Sequence, residues 1–134
     1  MSDVTDLVPE SKSDLTRARA AERAGYPAIA PVVNDLLKWL RDGNWPVAHV
    51  LAPLLRGVGP VPPLVGGIRS ILEGSDSVWK YWVLQGVVDG WDGSALVVLE
   101  PQLKAVSANP SPSDVAEGVD VIARELLARS HAQT

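Results

Sequence analysis

Apolar residues recur at helical spacing along most of the chain. Leu15, Ala18 and Ala21 form a thin apolar stripe opposite Arg17, Arg19 and Arg23, so a helix is predicted from a cap at Ser13 to Gly25, packing on one side only. Ile29, Val32, Val33, Leu36, Leu37 and Leu40 predict a helix over 27–41, opened by Pro27 and stopped by Gly43. Val47, Val50, Leu51, Leu54 and Leu55 predict the next over 46–57, with Asn44 as its cap. Leu64, Val65, Ile68, Ile71 and Leu72 place one over 60–73, although Gly66 and Gly67 weaken it. Asp76 then caps a helix over 76–89 that is apolar nearly all round, as in a helix buried on several sides. Two more helices are expected: one over 95–106, interrupted by Pro101, and one over 114–129, capped by Ser113. Only Val97-Val98-Leu99 hints at a strand, and it is too short to change the class. The pattern predicts an all-α protein of about seven helices: an extended arm over 1–12 and a single helical-repeat domain over 13–130.

A shift of 32 residues superposes the second and third of these helices on the fourth and fifth. Pro31, Val32 and Val33 fall on Pro63, Leu64 and Val65, Leu36 on Ile68, Trp39 on Ile71, Leu40 on Leu72, Asn44 on Asp76 and Val47 on Trp79. Each unit reads as helix, turn, Asn or Asp cap, helix, an α-hairpin repeat that buries its apolar face against its neighbours. Leu40-x-Asp42-x-Asn44-Trp45-x-Val47, followed by Ala48, Leu51, Leu54 and Gly57, resembles a HEAT-type repeat. The resemblance implies a short α-solenoid in which Asn44 and Asp76 cap the second helix of each pair.

A closer resemblance lies in Asp42-Gly43-Asn44-Trp45-Pro46-Val47-Ala48 and Asp76-x-x-Trp79-Lys80-Tyr81-Trp82, with Leu7-Val8-Pro9, Lys12-Ser13-Asp14 and Leu36-Leu37-Lys38-Trp39-Leu40. These stretches are similar to the bacterial family known as domain of unknown function 5071, over roughly residues 7–125. The chain departs from the pattern at Pro53, Pro62-Pro63 and Pro101. The family implies no activity that can be carried over.

Composition narrows the chemistry. With 134 residues, one domain is expected, able to bury roughly 65–70% of its unfolded surface. There is no Cys, which excludes disulfides and thiolate chemistry, fits a reducing compartment, and points with the acidic start to the cytoplasm. Usage of Ala, Val, Arg, Gly and Pro without Phe fits a GC-rich bacterial genome. No run of about 18 apolar residues predicts a membrane span. The net charge of −4 argues against a nucleic-acid or anionic-membrane partner. All of that excess lies in residues 68–134, so an electrostatic partner is expected to be basic.

Candidate site residues are few. Trp45, Trp79 and Trp82 begin equivalent helices and are expected to cluster near one end of the helical layer, with Lys80 and Asp42 at its polar rim. Tryptophan is enriched at binding hot spots, so this cluster is the expected partner surface. Asp89 and Asp92 flank Trp91 in a Gly-containing loop without further ligand spacing, and read as a solvated turn. Gly66-Gly67 lacks the Lys-Ser/Thr of a phosphate loop. His49 has no acidic or hydroxyl partner at suggestive spacing, and His131 lies in the C-terminal tail. No catalytic residue, metal or cofactor is expected. The pattern points to a non-enzymatic protein-interaction module, of a size and acidity that fit an immunity-type protein binding a toxin. The alternative is a HEAT-like DNA glycosylase or other nucleic-acid-acting enzyme, which the acidic charge disfavours.

Overall fold

The computed structural model describes residues 4–132, and every regular element in them is helical. The longer helices are α1 (Leu15–Ala24), α3 (Pro46–Val58), α4 (Pro62–Glu73), α5 (Ser77–Gly86), α7 (Glu100–Ala108) and α9 (Val119–His131). Short ones intervene: α2 (Val33–Leu37), α6 (Gly93–Leu96) and α8 (Pro112–Ala116). Four of these starts carry proline in the first turn: Pro46, Pro62, Pro101 and Pro112. There its missing N–H has no intrahelical partner to lose. Pro101 therefore opens α7 rather than interrupting a helix. Pro53 alone of these prolines stands inside a helix, on the exposed side of α3.

Four expected helices divide, the one over 95–106 into α6, a 3-10 turn at Val97–Leu99 and α7. The segment 27–41 is α2 flanked by 3-10 turns at Ala30–Val32 and Lys38–Leu40, because Pro31 has no N–H with which to continue a helix from residue 27. The segment 114–129 breaks into α8 and α9 at Gly118, whose φ of 75° lies in the left-handed region. The helix from Asp76 ends at Gly86 and resumes as a 3-10 turn at Val88–Gly90.

Of the arm expected over 1–12, residues 1–3 lie outside the described residues, and the rest is not extended. Val4–Leu7 forms a 3-10 turn. Arg17 of α1 donates from Nη1 to the Thr5 carbonyl at 2.9 Å and pairs with Glu10 at 2.7 Å. The Val47 N–H donates to the Lys12 carbonyl, Pro9 is buried, and Leu7 and Val8 pack on the core.

Packing runs in two rows. α2 lies on α4 and α4 on α7; α1 lies on α3, α3 on α5 and α5 on α9; α7 and α9 close the far end. Val32, Val33, Leu36 and Leu40 in the first unit and Leu64, Val65, Ile68 and Leu72 in the second are all buried. At those four pairs the 32-residue offset aligns core with core, but at Trp39 and Ile71 and at Val47 and Trp79 it sets a half-buried indole against a buried aliphatic side chain. It fails at the caps. Asp76 caps α5 by accepting from the Trp79 N–H at 3.0 Å, whereas Trp45 holds the corresponding position of α3 without a side-chain bond. Asn44 instead donates its own N–H to Asp42 Oδ1 at 2.8 Å. The caps expected at Ser13 and Ser113 are displaced as well. Asp14 caps α1, and Ser111 forms a capping box with Asp114 at the start of α8. At α1 the Asp14 carboxylate accepts from the Arg17 N–H; at α8 the Ser111 hydroxyl accepts from the Asp114 N–H and the Asp114 carboxylate accepts from the Ser111 N–H. No single helix among the described residues is long and apolar enough to cross a membrane.

Candidate functional site

Trp79 stands in the first turn of α5, where the Asp76 cap fixes its backbone. Its indole Nε1 donates to the Leu37 carbonyl at 2.9 Å, which ties the ring to the end of α2. The Arg41 guanidinium lies 4.9 Å from the ring centroid, a cation–π contact. The half-buried ring closes one end of a groove of about 500 Å³ between α2 and α4, whose walls include Leu37, Lys38, Pro63, Gly66 and Ile71. A smaller hollow of about 160 Å³ adjoins it, lined by Lys38, Trp39, Arg41 and Trp45. Trp39 and Trp45 meet edge to face, with centroids 5.8 Å apart. Lys38 borders both spaces and Arg41 links Trp79 to the second, so three indoles and two cations form one continuous surface.

Trp82 does not join that surface. It lines a separate groove of about 390 Å³ between α3 and α5, packs edge to face on Tyr81 at 5.1 Å, and covers Gly43. Trp79 and Trp82 are only about 60° apart around the helix, but α5 contacts α4 on one side and α3 on the other, and the two rings fall on opposite sides of that boundary.

Lys80 is not at a rim. It is 4% exposed, and its Nζ lies 3.1 Å and 3.3 Å from the two carboxylate oxygens of Asp114, itself 3% exposed. Ser77 Oγ donates to the same carboxylate at 2.6 Å, and the Ser111 N–H donates to it at 3.1 Å. Burial pushes the Asp114 carboxyl up. The Ser77 hydroxyl, the Ser111 N–H and the Lys80 ammonium outweigh burial and hold it below the ordinary range. Ser77 and Lys80 thus join α5 to α8, and the hydroxyl and ammonium are both occupied by one carboxylate.

The remaining candidates shape turns and caps or lie in surface pairs. Asp42 Oδ1 accepts from Asn44, and the Asp42 carbonyl accepts from the Trp45 N–H, so Asp42 shapes the turn before α3. Asp89 pairs with Arg129 at 2.8 Å. Asp92 caps α6 through the Ala95 N–H, and with the Ser94 hydroxyl this lowers its pKa. His131 Nε2 lies 2.9 Å from Glu100 Oε1, and His49 lies on the exposed side of α3 beside the Trp82 groove. No group of three His, Asp or Glu side chains converges among the described residues. Sequence reasoning missed Trp39, Lys38, Arg41 and Gly66. The pair Trp39 and Trp45 was visible as two tryptophans flanking a predicted turn, but nothing local linked them to Trp79.

Fold and site together define an all-α protein with one buried Lys–Asp lock and one aromatic, cationic groove surface. Residues 7–127 match the family described as Domain of unknown function (DUF5071), and the chain belongs to it. No curated protein matches the sequence.

Proposed function

We propose that the protein is a non-enzymatic helical-repeat interaction module, built of HEAT-like α-hairpins, whose partner surface is the stretch Trp39–Trp45–Trp79 with Arg41. The observation that carries this reading is the state of Trp79. Its ring is oriented by Leu37, covered by Arg41, and still half-buried at the end of a groove. A preoriented aromatic beside an arginine is the composition of protein-binding hot spots, and little side-chain entropy remains to be lost on binding. The two packing rows and the alignment of buried positions at a 32-residue offset support the repeat reading. A small acidic chain without cysteine supports the narrower reading of a bacterial, cytoplasmic, immunity-type protein that neutralises a toxin.

The test is site-specific photo-crosslinking in the organism that encodes the protein. A photoreactive residue at position 45 is expected to capture one partner protein, and the same residue at position 125, on the exposed face of α9, is expected to capture none. Capture from neither position, or equally from both, overturns the reading. Salt-dependent binding of duplex DNA would favour the nucleic-acid alternative.

A further inference from the structure

We propose that the groove between α2 and α4 takes an acidic segment of a partner protein, with a large apolar side chain seated against Gly66 beside Trp79 and flanking carboxylates on Lys38 and Arg41. The inference rests on the interaction reading above and adds the chemistry of the partner.

Gly66 is the first argument. It lies inside α4, where glycine is less stable than alanine because it loses more backbone entropy. Packing within the chain does not require it, because a Cβ at residue 66 would meet nothing within 4 Å. The adjacent Gly67 does have a reason. Its Cβ would come 2.1 Å from Asn34 Oδ1 and 2.6 Å from Leu37 Cδ1, so it sets the approach of α4 to α2. Gly66 faces outward into the groove, and its bare backbone leaves width that the folded chain itself does not fill. At about 500 Å³ the groove has the size of a built ligand site.

Charge selects the occupant. Among the residues lining this groove and the adjoining hollow, the charged ones are Lys38 and Arg41, and neither space is lined by a carboxylate. Lys38 pairs with Asp35 at 3.6 Å, with side chains 59% and 51% exposed, a solvent-screened contact that a partner carboxylate can displace. Arg41 has no carboxylate within ion-pair distance among the described residues, so its N–H donors remain for a bidentate bond while its charge rests on Trp79. The acidic excess of the chain lies in its second half and would repel the same segment elsewhere, so the positive spot orients it on the groove.

Fluorescence anisotropy with three short labelled peptides tests this. One alternates Leu and Trp with Glu, the second carries Lys in place of Glu, and the third carries Ser. The protein is expected to bind the Glu peptide about tenfold or more tighter than the Lys peptide. Gly66→Leu is expected to weaken that binding by about tenfold with helicity and melting temperature retained. Gly66→Ala, which keeps the helix in any case, is expected to weaken it by a smaller factor while raising the melting temperature. The double variant Lys38→Glu/Arg41→Glu is expected to reverse the peptide preference. Equal binding of the Glu and Lys peptides, binding of none of the three, or indifference to both Gly66 variants overturns the inference. If a partner is captured at position 45 but its binding ignores the Gly66 and charge variants, the interaction reading stands and this inference falls. If the Glu peptide binds as described but no partner is captured, the reading fails and the groove's chemistry stands.

Discussion

Lys80 and Asp114 meet across 34 residues of sequence, with Nζ 3.1 Å from Oδ1 and both side chains almost fully withdrawn from solvent. The contact joins α5 to α8, and Ser77 and Ser111 supply hydrogen bonds to the same carboxylate. A buried pair of this kind adds little over a well-packed apolar pair, but removing one partner leaves a buried charge without compensation. Lys80→Met is therefore expected to destabilise the protein by about 3–5 kcal/mol, read from the urea midpoint. Asp114→Ala is expected to lose at least as much, since it also removes the capping box of α8.

The same carboxylate makes stability depend on pH. The folded pKa of Asp114 lies below its unfolded value, so the folded state binds fewer protons in acid. Its contribution is full above the unfolded carboxylate pKa of about 3.9 and is lost as pH falls through the folded pKa. Asp14, held down by the Glu10 N–H and Arg17, and Asp92, held down by Ser94 and Ala95, act with the same sign. Thermal midpoints should hold level near neutral pH and drop below that value. Asp114→Asn should flatten the acid limb.

Three glycines should answer differently to alanine. At Gly43 a Cβ would lie 2.1 Å from Trp82 Cε3, against a rigid ring, so Gly43→Ala should lower the melting temperature. Gly67→Ala meets the ends of Asn34 and Leu37, which can shift, and should lower it less. Gly66→Ala meets nothing and should raise stability by up to about 1 kcal/mol. Differential scanning calorimetry of the three variants checks the order.

Caps give a paired comparison. Asp76→Ala removes the acceptor for the Trp79 N–H and should cost about 0.5–2 kcal/mol. In Asn44 it is the backbone N–H that bonds to Asp42, so Asn44→Ala should leave the denaturation midpoint nearly unchanged. Equal losses from the two variants would contradict the assignment.

Tryptophan emission separates core from surface. Trp91 is 5% exposed and donates from Nε1 to the Arg56 carbonyl, so a protein retaining Trp91 alone should emit at the shortest wavelength and resist acrylamide. Proteins retaining Trp45 or Trp79 alone should be quenched more readily, because both rings are only partly buried.

Much of the architecture was legible along the chain because helical periodicity is a local property. The spacing of Leu36, Leu37, Leu40, Leu64, Ile68 and Leu72 identified six core positions and an all-α class, and all six are buried. Helix ends were less legible. Ser13 competed with Asp14, Asn44 with a turn built on Asp42, and Ser113 with Ser111, one or two positions apart in each case. Local preference among such neighbours differs by less than the packing that decides between them.

Periodicity determined the class of fold and the buried stripe of the long helices, since these depend on residues within a turn or two of one another, and composition alone excluded thiol chemistry. Only the tertiary structure decided that Lys80 is interior, because its partner lies 34 residues away. It also decided that Trp79 joins Trp39 and Trp45 around Arg41 while Trp82 faces Gly43, because α5 is wedged between α4 and α3 and a 60° step around it crosses from one groove to the other. That the space beside Gly66 is open was invisible for the same reason. A glycine inside a helix costs stability whatever surrounds it, and only the tertiary structure shows whether the chain packs against the position it leaves bare.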